Sequence, residues 1–291
     1  MLFTIKDVEN LSGIKAHTIR IWEKRYSFLK PNRSDTNIRR YSNEELRIIL
    51  NIALLNKYGY KISHINRMSE EVIFDSVLSI TDPEARANIT VNELIQSMIH
   101  FDGEKFESIL NKSIEAKGVE ETILKIIFTF LDKVGILWLT KHINPVHERL
   151  VSNIIRQKLI AGIDSLPLKK VSSTSICLFL PQGEFHEISL LFVAYLLKQK
   201  GITIIYLGAN IPLEELKTVT SLKNPTYLYT HLTTAGQNFN FDKFLSILHK
   251  DFRNIPIIMS GRLTASYVKK IPPKIIFKKS LAEVFQFISE I

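Results

Sequence analysis

The 291-residue sequence predicts a multidomain protein of three successive folds: a small helical head, an all-α four-helix bundle, and a doubly wound α/β domain. Three observations carry this reading. Cationic charge gathers at one end, the middle of the chain follows a helical period alone, and after Ser165-Leu166-Pro167 short apolar runs alternate with amphipathic stretches. These changes mark off residues 1–70, 71–165 and 170–291.

Composition removes several function classes. Hydrophobic residues make up 45% and charged residues 23% of the chain, an ordinary globular balance. Charges break every apolar run well short of the roughly 18 residues that a membrane span needs, so no membrane partner is expected. Cys177 is the single cysteine, which excludes a disulfide framework and a thiolate metal cluster. Lys6, Asp7 and Glu9 stand where a signal peptide would be apolar, and a cytoplasmic location is expected. A glycine-rich phosphate loop, a metalloprotease helix motif and a nucleophile elbow are all missing from the sequence, so an enzyme is not expected.

The head holds 13 Lys and Arg against six acids in residues 1–67, a balance of +7 within a chain total of +9. Basicity confined to one end points to a polyanion partner, and nucleic acid is the commonest. Val8 and Leu11, then Ile14, Ile19 and Trp22, lie at helical spacings on either side of Ser12-Gly13, which reads as helix, tight turn, helix. Leu29 to Tyr41 has no helical period and reads as an extended loop or small hairpin. A helix follows from a Ser42 cap with Glu45 at its third position.

In the middle part, Val91, Leu94, Ile95 and Met98 share a helix face. Ile123, Ile126, Ile127, Phe130, Leu131 and Val134 share another, and Val151, Ile154, Ile155 and Leu159 a third. Thr81-Asp82-Pro83 is a break. The last part predicts strands at 175–180, 202–207, 226–230 and 255–259 between helices, which implies a parallel sheet with ligands at its carboxyl edge. The loops after Leu180, Leu207, Thr230 and Met259 are therefore the candidate site, with Gly208-Ala209-Asn210 read as a loop.

Phe3-Thr4-Ile5, the run Lys15-Ala16-His17-Thr18-Ile19-Arg20-Ile21-Trp22-Glu23-Lys24-Arg25, and the later Pro31-Asn32-Arg33 and Arg39-Arg40-Tyr41-Ser42 resemble the winged helix–turn–helix head of the MerR family of transcription regulators. The resemblance implies double-stranded operator DNA as partner, met by a homodimer or homotetramer. Lys15, His17, Thr18 and Arg20 would stand at the recognition helix, Arg33, Arg39 and Arg40 would meet the backbone, and Tyr41 could contact it while its ring packs. Trp22 reads as a packing residue.

The rest of the chain resembles cobalamin-binding modules with a Rossmann-like, flavodoxin-like fold. Gly183-Glu184-Phe185-His186-Glu187-Ile188-Ser189 is similar to the motif that supplies the lower axial ligand of cobalt. Here His186 is implied as that ligand, Glu184 as the acid that holds it, and Ser189 replaces the usual glycine. Thr230 and Leu232, then Ser260 and Gly261, match the further elements that receive the nucleotide tail. Gly135-Ile136-Leu137-Trp138 followed by Glu148 resembles the cap helices of light-sensing cobalamin regulators related to the repressors of carotenoid genes. There, Trp138 and Glu148 would cover the upper face of the cofactor.

Arg149 stands where those regulators have a histidine, Leu139 occupies a second such place, and His142 and His147 are nearby as substitutes or as plain surface residues. The resemblance implies a repressor in which adenosylcobalamin, bound in the dark, favours a DNA-gripping oligomer that light dissolves. A regulator whose last domain has lost the cofactor and serves in protein interaction is the alternative. An enzyme subunit such as a methyl-transfer corrinoid protein gives no reason for the basic head. His186 as a polar loop residue, and His231 as a buried hydrogen-bonded one, are the readings that need no ligand.

Overall fold

The computed structural model describes residues 2–34, 37–139, 143–167, 173–233 and 239–291. They form two compact units, Met1–Ile154 and Ile155–Ile291.

The first unit opens with β1 (Leu2–Phe3) and α1 (Ile5–Ser12). Thr4 caps α1 through a capping box: its hydroxyl accepts from the Asp7 amide, and its own amide donates to the Asp7 carboxylate at 2.7 Å. Gly13 ends the helix at φ 74°, a left-handed conformation that glycine adopts without steric cost. The chain then turns into α2 (Ala16–Arg25), as the Ser12-Gly13 signal predicts. The unpatterned segment that follows is a hairpin of β2 (Asn32–Arg33) and β3 (Arg39–Ser42), with β1 completing an antiparallel sheet ordered β1-β3-β2. The Ser42–Glu45 capping box starts α3 (Asn43–Lys57), and α4 (Ile62–Ile65) follows. Phe3, Val8, Leu11, Ile19, Trp22, Tyr41, Leu46 and Ile49 form the core between these elements.

Beyond the head the unit is helical: α5 (Glu70–Leu78), α6 (Pro83–Ile99), α7 (Gly103–Thr122), a π-helical turn (Ile123–Ile127), α8 (Phe128–Leu139) and the start of α9 (Pro145–Ser165). Asp82 caps α6 with Pro83 in its first turn, where proline's missing donor costs nothing. The predicted faces are buried, except that Leu131 is only half-buried. Two features go beyond the periodicity. Gly118 (φ 79°, ψ 169°) kinks α7, and the π-turn over Ile123–Ile127 changes the helical phase between α7 and α8.

The second unit contains β4 (Ser175–Pro181), α10 (Ile188–Gln199), β5 (Thr203–Ile211), α11 (Leu213–Lys223), β6 (Tyr227–His231), α12 (Phe241–Asp251), β7 (Ile257–Ser260), α13 (Arg262–Ser266), β8 (Ile275–Lys278) and α14 (Leu281–Glu290). Its strands are all parallel and ordered β5-β4-β6-β7-β8. Helices cover both faces, so β4 reads as an unbroken apolar run, buried from Ile176 onward. Cys177 lies in this core, and burial pushes its thiol up to about 12, out of reach of thiolate chemistry. The strand order reverses between β4 and β6, which opens a crevice at the carboxyl ends of those two strands. Gly208-Ala209-Asn210 is not a loop: it lies within β5, where register shifts and positive φ at Gly208 and Asn210 admit it to the sheet.

Removing the Ser42 hydroxyl leaves the amide of Glu45 without its cap. Ser42→Ala is expected to lower the unfolding free energy by about 1 kcal/mol in urea titrations followed by circular dichroism. An unchanged midpoint would show that the cap contributes nothing.

Candidate functional site

In the head, burial of Ile19 and Trp22 turns the other side of α2 outward, so that His17, Arg20 and Lys24 are exposed and Thr18 is half-buried. Lys15, directly before the helix, is exposed and pairs with Glu9 at 3.4 Å. The hairpin supplies the other cations. Arg39 Nε donates to Glu23 Oε2 at 2.5 Å, and Arg33 reaches Glu23 Oε1 at 3.3 Å and Asn37 at 2.7 Å. Glu23, on α2, therefore fastens the hairpin to that helix. Arg40 is half-exposed beside them.

The ring of Tyr41 packs, as expected, and its hydroxyl is buried with it. That hydroxyl has no hydrogen-bond partner, and burial pushes the phenol up to about 12. Pairing with Phe3 across β1 and β3 turns this side chain into the core.

The second unit brings Glu184, His186, Thr230, Leu232, Ser260 and Gly261 together at the carboxyl edge of its sheet. The chain leaves β4 at Pro181, and residues 182–187 form a loop, so α10 begins only at Ile188. Glu184 is 3% exposed. Its Oε1 accepts from the Phe185 amide (2.9 Å), the His186 amide (3.0 Å) and His186 Nδ1 (2.6 Å). Its Oε2 accepts from the Thr233 amide just past β6 (3.0 Å), so one carboxylate spans the point where strand order reverses. The loop is also tied to β5, because Gly183 donates to the Asn210 side chain (2.9 Å) and the Asn210 amide donates to the Glu184 carbonyl (3.2 Å). His186 itself is 46% exposed. A ring that donates Nδ1–H to a carboxylate keeps its lone pair on Nε2, the tautomer that suits a metal ligand.

Across the crevice, Thr230 is fully buried at the end of β6, and its hydroxyl has no partner. His231 Nδ1 lies 2.8 Å from the Ser260 hydroxyl, which is 2.7 Å from the Tyr229 hydroxyl. Burial pushes the His231 imidazole down to about 4, and the His186 ring adds to that against the opposing pull of Glu184. Gly261 follows β7 at φ 101°, where any Cβ would lie 2.3 Å from the Leu232 carbonyl oxygen. Ser189 occupies the first turn of α10 and is half-buried.

One group escaped the sequence reading: Glu187, whose carboxylate meets Tyr206 and Arg156, each at 2.7 Å. Those partners stand far away in the chain, and no local pattern announces them.

Of the cap residues, Glu148 is half-buried and Arg149 exposed on α9. His147 is not a surface residue: it is 9% exposed and packs on Phe101 with ring centroids 4.4 Å apart. Trp138 falls within α8, but its side chain, like those of Ile136 and Leu139, lies outside the described residues, as does His142.

The residues of the second unit fit a corrinoid. They offer an imidazole whose tautomer a buried acid sets, a buried hydroxyl that lacks a partner, and a loop crossing that admits no side chain at Gly261. A buried polar group left unsatisfied costs roughly 1–3 kcal/mol, which a ligand group there would recover.

Residues 3–72 match the MerR HTH family regulatory protein model, and residues 90–161 match the B12 binding domain. The head is thus similar to MerR-type regulators and the helical segment after it to the B12 binding domain, while the last domain has a Rossmann-like fold. The chain is homologous over most of its length to two repressors of Myxococcus xanthus. It is 21% identical to the HTH-type transcriptional repressor CarH over 272 residues (91% of this chain, 90% of the relative). It is 24% identical to the HTH-type transcriptional repressor CarA over 273 residues (93% and 90%). The monomethylamine corrinoid protein of Methanosarcina barkeri shares the fold, with a TM-score of 0.55 and 14% identity over 68% of this chain and 95% of that one. The two repressors agree with the expectation of a transcription regulator. No helix among the described residues is long and apolar enough to cross a membrane.

Two outcomes follow from this geometry. Each phosphate contact contributes close to one unit to the slope of log affinity against log salt. Arg40→Ala should therefore flatten that slope by about 0.9 in gel-shift titrations; an unchanged slope would place Arg40 away from DNA. Because His231 stays neutral in the fold, the unfolded chain takes up its proton first as the pH drops below about 6.5. Stability is unaffected above that pH and falls from there towards pH 4, by on the order of 1 kcal/mol per pH unit. His231→Gln should level this part of a urea-unfolding pH profile, and a profile that stays as steep assigns the acid sensitivity to another group.

Proposed function

We propose that the chain is a cytoplasmic transcriptional repressor whose assembly on operator DNA is set by adenosylcobalamin and reversed by light. The observation that carries this reading is the buried Glu184 carboxylate holding His186 Nδ1 at 2.6 Å, at the crevice of a domain joined to a DNA-binding head. In this reading residues 1–70, 71–165 and 170–291 act as DNA-binding, cap and cofactor-binding modules.

His186 would be the lower axial ligand of cobalt, oriented by Glu184. Thr230, Leu232, Ser260 and Gly261 would receive the nucleotide tail, and Ser189 would stand at the mouth of that slot. Trp138 and Glu148 would cover the opposite face. Bound adenosylcobalamin would supply a cobalt–carbon bond that light breaks, which makes the illuminated and dark proteins chemically different. Those two forms would differ in affinity for the assembled dimer or tetramer, and only such a difference can move the assembly equilibrium. At the operator, Lys15, His17, Thr18 and Arg20 would meet base edges or nearby phosphates, while Arg33, Arg39 and Arg40 set the register along the backbone.

Incubating the full chain with adenosylcobalamin in the dark tests the reading directly. Cobalamin is expected to co-elute with protein on gel filtration, and illumination is expected to change the absorbance spectrum, the elution volume and the gel shift together. His186→Ala should lose co-elution. Failure of the wild-type chain to retain cobalamin would overturn the proposal and leave a DNA-binding protein with an interaction module.

A further inference from the structure

We propose that Glu187, clamped by Arg156 and Tyr206, is a positioning residue that sets where the His186 ring is presented. The inference rests on the axial-ligand reading of His186 and adds a second anchor to it.

Glu187 directly follows His186 and is 8% exposed. It stands directly before the first turn of α10 with helical backbone angles, and its side chain makes no capping bond. It turns instead towards β5 and α9. Tyr206 donates its hydroxyl to Oε1 at 2.7 Å, and an Arg156 guanidinium nitrogen lies 2.7 Å from Oε2. Gly208 adds the space: a Cβ there would lie 3.0 Å from Glu187 Oε1, at a φ of 84° that disfavours side chains. Burying a carboxylate costs several kcal/mol unless a partner offsets it, and breaking such a pair on one side leaves that cost exposed. The clamp therefore constrains the backbone at residue 187 strongly.

Its role differs from that of Glu184. Glu184 sets the tautomer of the ring and ties the loop to the ends of β5 and β6. Glu187 ties the residue after the ligand to α9, through an arginine inside the segment that matches the B12 binding domain. A movement of α9 at Arg156 would thus act on the backbone that carries His186.

The test uses the full chain, uniformly labelled with nitrogen-15 and loaded with aquacobalamin. After one-electron reduction of the bound cobalt(III) by an added chemical reductant such as ascorbate, electron paramagnetic resonance of the cobalt(II) form reports whether a protein nitrogen holds the metal, and equilibrium titration gives the affinity. Arg156→Met and Glu187→Gln are each expected to weaken aquacobalamin binding about tenfold and to reduce the fraction with nitrogen-15 coupling. Arg156→Lys, which keeps the charge, should restore most of both. The double variant should lose little more than either single one, as expected of partners in one clamp.

If both single variants keep wild-type affinity and full coupling while His186→Ala loses the coupling, the positioning role is wrong and the axial role stands. If His186→Ala keeps the coupling as well, the axial reading itself falls and takes this inference with it. Lower melting temperature with unchanged coupling would mark the clamp as merely structural and overturn the proposal. Should Glu187→Gln fail to fold, Arg156→Met decides, since that side chain is 42% exposed.

Discussion

The Glu184 carboxylate accepts hydrogen bonds from the amides of Phe185, His186 and Thr233 and from the His186 ring. A buried acid is tolerable only with such partners, because an ionised carboxylate stripped of water loses far more than one hydrogen bond returns. The same bonds that make Glu184 bearable draw the loop after β4 onto the end of β6. The conformation of residues 182–187, the direction of the His186 ring and the closure of the crevice at the strand reversal are thus one solution to a single electrostatic problem. Charge-assisted bonds of this kind are roughly twice as strong as neutral ones, so the loop is held without a regular element of its own.

The head solves a different problem, that of keeping a wing in place without giving its charges away. Glu23 holds Arg39 and Arg33, yet an exposed or half-exposed ion pair contributes no more than about 1 kcal/mol. A DNA phosphate brings a comparable local attraction and adds the release of condensed counterions. In the proposed reading phosphate would take over these arginines from Glu23, which otherwise holds the hairpin against α2. Tyr41, by contrast, is committed to packing, since exposing a fully buried aromatic ring would forfeit more than a single phosphate contact could return.

What the sequence made legible was local or periodic. The Ser42–Glu45 box, the Asp82-Pro83 start and the change from helical to alternating patterns all act within a few residues, and the elements they announce are present. The placement of Glu184 against His186 is readable because only Phe185 stands between them. The burial of the Tyr41 hydroxyl along with its ring is not, because the sequence pattern is the same whether that hydroxyl reaches solvent or ends in the core. The burial of His147 is hidden for the same reason: it depends on Phe101, which lies in a different helix connection. The π-turn at Ile123–Ile127 preserves an apolar face while altering its phase, so hydrophobic spacing alone does not reveal it. Glu187 was invisible because Tyr206 and Arg156 converge on it only once the sheet and α9 are in place.

These long-range ties decide how a change at the imidazole can travel. A ring held only by its own loop could respond to a ligand by local adjustment, and nothing beyond it would register the event. His186 is joined through Glu184 to the segment after β6, through the Asn210 contacts to β5, and through its neighbour Glu187 to α9. A close-packed domain does not deform continuously under such a load; it shifts between discrete arrangements. The unsatisfied Thr230 hydroxyl marks the side of the crevice where the arrangement without ligand is least favourable, and there a bound group gains most by choosing one arrangement over another.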